Sequence, residues 1–152
     1  MANLFSPAFM VINGISLAIL AFSFFRPARA AYVLGILFLF AAVINIVVLT
    51  ARPEAFLELS AVAVYDWYIR AMDASFRFFE QGMILAITLG QLMIAAAMFG
   101  SGRWRSAGLA CALVFFLAIA PLGAGAAFPS PVILAGACLV ILLKTNRKQL
   151  AN

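Results

Sequence analysis

The chain has 152 residues, of which 67% are hydrophobic and 10% charged, with a net charge of +5, no histidine and two cysteines outside any C-x-x-C pair. Soluble domains are about 45–50% apolar and about 25% charged, so this composition excludes an ordinary soluble protein and predicts an integral membrane protein; with about 20 apolar residues per crossing, the length supplies about four or five crossings and no separate domain. The lack of histidine removes the commonest general base, metal ligand and pH switch together, and two isolated cysteines make neither a disulfide framework nor a ligand set, so no cofactor or metal is expected.

The first apolar run covers residues 5–25 and stops at Arg26-Pro27-Ala28-Arg29. Ala28-Arg29-Ala30 has the A-x-A form of a signal-peptidase site, but no Lys or Arg precedes the run, so a retained span is expected. The second run, 31–50, follows so closely that the two spans should form an antiparallel hairpin. Residues 51–76 are amphipathic and predict an external interfacial segment. A third span is predicted over 77–99, with Asp73 or Ser75 as its cap and Gly82 as a hinge. It closes at Gly100-Ser101-Gly102, with Arg103-Trp104-Arg105 behind, as membrane helices commonly end. Residues 106–143 as one helix would measure about 57 Å, and Pro121, Gly123, Gly125, Pro129 and Pro131 interrupt the middle. Two spans, 106–122 and 128–143, joined by a tight turn, are expected instead.

The predicted fold is therefore all-α, a single polytopic transmembrane helical bundle over 1–152 with about five spans and an external amphipathic helix; four spans are the alternative. Charge favours five. With five, Arg26, Arg29, Arg103, Arg105, Lys144, Arg147 and Lys148 share one side, and all the carboxylates, Glu54, Glu58, Asp66, Asp73 and Glu80, fall on the other. The positive-inside rule then places the N-terminus outside and the C-terminus in the cytoplasm. Four spans would strand the Lys144–Lys148 cluster outside. The net positive charge thus reports membrane sidedness, and no nucleic-acid partner is expected.

The most organised polar feature is Asp66, Arg70, Asp73, Arg77 and Glu80. On a helix these residues fall within an arc of about 80° and alternate in sign, so neighbours on the stripe attract, each i,i+4 pair adding about 0.2–0.5 kcal/mol. Thr88 and Gln91 continue the same arc, and Gln81 lies just beyond it. Polar groups inside a membrane tend to face the bundle interior, where Asn13 and Ser16 of the first span and Asn45 of the second are the expected partners. Two readings stand side by side: helix–helix hydrogen bonding, or an outward-opening polar pocket rimmed by Glu80, Arg77 and Asp73. No charge lies deep in a span, which argues against ion-coupled transport.

Cys111 and Cys138 should lie at similar depth on the fourth and fifth spans, most simply as packing residues. Gly14 with Ala18, Gly108 with Ala112, and Ala135-Gly136-Ala137 offer small surfaces for close helix approach or oligomerisation. Trp67 and Trp104 should mark opposite interfaces.

Gln91, Met98-Phe99-Gly100, Arg103-Trp104-Arg105, Ala107-Gly108 and Ala118-Ile119-Ala120-Pro121-Leu122-Gly123 together resemble the C-terminal half of small bacterial DoxX-like membrane proteins. The resemblance implies a helical bundle of the inner membrane, in a family some of whose members are encoded with redox or quinone-linked membrane complexes. The family usually has four spans and often carries Glu where this chain has Gln91, and no catalytic residue is transferred from it.

These features predict a non-catalytic accessory or interaction subunit, in contact with membrane lipids and with a membrane-protein partner or further copies of itself. The alternative is a protein binding a small solute, lipid or quinone, or a transporter, with a pocket lined by Asn13, Asn45, Glu80 and Gln91. An enzyme using Asp66, Asp73 and Glu80 fits less well: each acid has an Arg within one turn, which favours the ionised carboxylate over a general acid.

Overall fold

A computed structural model describes the backbone of residues 7–51 and 66–150, and their side chains except at 66–69, 71–81, 83, 124–125 and 146–150. Among the described residues there are five α-helices and no strand: α1 (Pro7–Phe25), α2 (Pro27–Ala51), α3 (Asp66–Phe99), α4 (Arg103–Ile119) and α5 (Ser130–Leu150). A 3₁₀ stretch, Ala120–Ala126, joins the last two.

Only Arg26 separates α1 from α2. A residue before proline is driven out of the helical region, whereas proline fits the first helical position because its missing N–H would have no partner there. The Arg26-Pro27 pair thus ends one helix and starts the next, and α2 begins at Pro27 rather than at residue 31.

In α3 the chain is helical at every residue from Asp66 to Phe99, 34 in all, or about 51 Å. The helix thus runs without a break through residues 76 and 77, where the third span is expected to begin. Asp73 and Ser75 lie inside the helix rather than capping a new one, and Gly82 is helical too. The physical reason is continuity of local preference: residues 66–81 contain no Gly or Pro, and a single glycine costs about 1 kcal/mol, too little to interrupt a helix of this length. Residues 52–65, the rest of the expected interfacial segment, lie outside the described residues.

Two glycines turn the chain around α4. Gly102, ahead of the helix, has φ 56° and ψ −126°, and Gly123, after it, has φ 59° and ψ −121°, a region that side chains with a Cβ avoid. The turn expected between the fourth and fifth spans is this 3₁₀ stretch followed by a cis Phe128–Pro129 bond, and α5 then opens on Ser130-Pro131.

Each helix packs on the next, and α5 returns to α1, closing a ring. Phe38 of α2 reaches across it to Phe115 and Phe116 of α4, with ring centroids 5.4 and 5.1 Å apart. Lipid gives helices little hydrophobic reason to associate, so contact depends on close fit between small residues. A Cβ on Gly108 would stand 2.9 Å from the Ala97 Cβ and 3.2 Å from the Met98 nitrogen. Ala30, Ala31, Ala42, Ala112 and Ala137 are wholly buried, while Phe25, Phe40, Met93 and Val114 face outward. Not every small residue is used: no side chain lies within 4 Å of where a Gly14 Cβ would stand, and Ala18 is exposed, because both lie on the outward side of α1. Cys111 is exposed and Cys138 buried, both as free thiols, so they face different surroundings and do not pair.

Pro7–Phe25, Pro27–Ala51 and Arg103–Gly123 are each long and apolar enough to cross a membrane, and Ile84–Phe99 and Ser130–Thr145 are shorter apolar helices. Small residues at close helix contacts, large apolar residues exposed on the outer faces and helices of this length identify a helical-bundle membrane protein.

Candidate functional site

Along α3 the buried residues Ile84, Thr88, Gln91, Ala95 and Met98 follow the steps of four and three that also link Asp66, Arg70, Asp73, Arg77 and Glu80. Since the helix is unbroken, these are one stripe, charged in its first half and buried in its second. The change falls where α2 runs out. Gly35 lies against Met98 and Phe99, and Asn45 meets Gln91, so α2 and α3 are antiparallel, and Ala51, the last residue of α2, stands about level with Leu85. The first part of α3, to Gly82, therefore continues for about 25 Å past the end of α2. Arg70 on this overhang is exposed. The side chains of Asp66, Asp73, Arg77, Glu80 and Gln81 lie outside the described residues.

Below the overhang the polar groups form two separate sets. In the first, the Asn45 Nδ2 donates to the Gln91 Oε1 at 2.9 Å, joining α2 to α3. Thr88, on the same face, donates to its own backbone at Ile84, 2.8 Å away, which satisfies a hydroxyl that has no water to turn to. In the second set, Ser16 and Ser130 share a 2.6 Å hydrogen bond between α1 and α5, and Ser16 also donates to the Ile12 carbonyl at 2.9 Å. Asn13, one turn before Ser16, donates to the Phe9 carbonyl at 3.0 Å. Its Oδ1 is buried without a partner.

Among the described residues no hydrogen bond joins the two sets. Ring order is the reason: α1 lies between α2 and α5, so Ser16 meets α5 rather than α3, while Asn13 bonds within α1. Ser16, expected beside the third span, pairs with Ser130 instead. The Ser130-Pro131 pair carries a helix-start signal that marks the position, but nothing in the sequence names Ser16 as its partner.

At the opposite end of the bundle, basic residues close the helix termini. Arg105 gives its Nε and Nη2 to the Gly100 carbonyl, at 3.0 and 2.7 Å, just beyond the last turn of α3. It also donates to the Tyr32 hydroxyl at 2.9 Å and lies 4.7 Å from the centre of that ring. Lys144 of α5 donates to the Phe24 carbonyl in the last turn of α1. Carbonyls at a helix C-terminus lack intrahelical partners and carry the negative end of the helix dipole, so a cation there is stabilised twice over. In the sequence these residues read only as topological charges; which carbonyls they cap depends on how the helices pack.

Among the described residues no group of three or more His, Cys, Asp or Glu is placed to hold a metal ion. The Asn45–Gln91 pair is neutral: it orients and hydrogen-bonds, and carries no proton between states near neutral pH. No family model, curated protein or solved structure matches the chain.

Proposed function

We propose that this is a five-crossing protein of the bacterial inner membrane, N-terminus outside and C-terminus cytoplasmic, acting as a non-catalytic accessory or interaction subunit. The overhang of α3 presents its charged stripe to a membrane-protein partner. The observation that carries this reading is the unbroken helix from Asp66 to Phe99, because it fixes the stripe rigidly to the buried core of the bundle. A separate surface helix joined by a hinge would leave the stripe free to lie on the head groups. The five crossings are supported by the ring of alternating helices and by the gathering of basic residues at one end. A DoxX-like relationship agrees with a small inner-membrane bundle and would make a redox-linked complex the partner.

The test is mild purification with native lipid retained, followed by mass spectrometry of the intact assembly. The expected result is a protein partner in fixed ratio, lost when Asp66, Asp73 and Glu80 are each replaced by Lys. A chain recovered without partner, or a partner that survives those replacements, would overturn the reading.

One observation favours a second reading, a polar site for a small solute or lipid beside Asn13, apart from the Asn45–Gln91 pair. The buried Asn13 Oδ1 has no protein partner, and such a group is costly unless something donates to it. A bound molecule with a hydroxyl or N–H would answer it. In the same spectra this reading predicts a retained small mass that disappears in Asn13→Leu.

A further inference from the structure

The basic side chains described at the end of the bundle where α1 meets α2 and α3 meets α4 are of two kinds. Arg105 and Lys144 are committed to helix C-termini. Arg26, Arg29 and Arg103 are exposed, and no hydrogen bond or ion pair engages their guanidinium groups among the described residues. The committed pair fixes where these three stand. Tyr32, which accepts from Arg105, lies one helical turn along α2 from Arg29, and Arg29 lies about a turn from Arg26. Arg103 shares the first turn of α4 with Arg105. Lys144 meets Phe24, next to Phe25 and Arg26. The three arginines therefore stand at one end of the bundle, two at the α1–α2 junction and one in the first turn of α4.

Among the described residues no acidic side chain lies at that end. Every carboxylate residue lies between 54 and 80, and Glu80, the last of them, is about 28 Å up α3 from the C-terminal end of that helix. Beside the arginines the surface is apolar and aromatic, with Phe25 78% and Trp104 75% exposed. Guanidinium groups match phosphate oxygens in a planar, two-point geometry. A soluble anion would use only the charges. An anion with hydrocarbon tails would use both the charges and the aromatic rim.

We infer that Arg26, Arg29 and Arg103 bind the phosphate of an anionic phospholipid whose acyl chains lie along Phe25 and Trp104. The site is independent of whatever the α3 overhang engages, and it lies at the other end of the molecule.

The chain has two tryptophans, so Trp67→Phe leaves Trp104 as the sole emitter. This full-length variant is reconstituted in phosphatidylcholine vesicles containing, at equal mole fraction, either brominated phosphatidylglycerol or brominated phosphatidylcholine. The anionic lipid is expected to quench Trp104 more strongly, with a relative affinity that falls about fivefold for each of the three arginines changed to Gln. Lysine at the same positions should restore most of the preference. Equal quenching by the two lipids would overturn the inference, and so would a preference unchanged in the triple Gln variant. If that variant does not fold, salt titration of the parent decides: the preference must weaken as ionic strength rises, and indifference to salt counts against the site. Inorganic phosphate at matched ionic strength should leave the preference in place; if it abolishes the preference, the site is one for free phosphate and not for lipid.

Discussion

Single atoms decide the outcome at several positions in this bundle. Gly108 has no room for a side chain against Ala97 and Met98, whereas Gly14 has open space around it. Gly108→Val is expected to lower stability by about 2 kcal/mol through overpacking, and Gly14→Val to change it by less than about 0.5 kcal/mol, both read from thermal midpoints in detergent. Equal effects would contradict the helix contact. Asn13→Leu removes a buried carbonyl that has no partner and should raise stability by about 1 kcal/mol. A fall of more than the Nδ2–Phe9 bond lost in the same change, about 0.5–1.5 kcal/mol, would show that the carbonyl is engaged by a bound molecule, as the solute-site reading requires. For Asn45 and Gln91, a double-mutant cycle with Leu at each position should return a coupling of about 0.6 kcal/mol. A coupling of zero would mean that the bond does not join α2 to α3 in the membrane.

Among the elements, α3 carries the argument, and Gly82 is its most informative residue. It is exposed, with nothing within 4 Å of an added Cβ, so in a continuous helix Gly82→Ala should stabilise by up to about 1 kcal/mol and leave partner binding intact. If Gly82 were a hinge, the same change would weaken binding. How far α3 was legible in the sequence follows from its residues. The i+3 and i+4 spacing from Asp66 to Gln91 is a helical signal over the whole length, and the arc continued correctly into the buried face. Asp73 and Ser75 favour helix starts as residue types, which is why a cap is expected there, but the turns on either side give no reason to break and both residues lie inside the helix. Local preference suggests where a helix can begin; an unbroken pattern around it decides that it does not. The Arg26-Pro27 junction was readable for the opposite reason, since proline acts through sterics that no context relieves. The partner of Ser16 was out of reach, because depth in the membrane follows from counting residues, but which helices are neighbours in the ring follows from packing.

At the scale of the whole molecule, charge and helix direction reinforce each other. The C-terminal ends of α1 and α3 meet the basic residues Lys144 and Arg105, so the cations on which the proposed sidedness rests also answer the negative ends of helix dipoles. The carboxylates are confined to residues 54–80, in the stretch that leads into and forms the overhang of α3. The account rests on these two ends facing opposite sides of the membrane, which thiol labelling tests most directly. With Cys111 and Cys138 replaced by Ala, Arg70→Cys and Ser101→Cys each put one exposed thiol at opposite ends of α3. In spheroplasts, a membrane-impermeant maleimide is expected to label the Arg70→Cys variant at once and the Ser101→Cys variant only after the membrane is opened. Labelling of both in sealed spheroplasts, or of Ser101→Cys alone, would contradict the account.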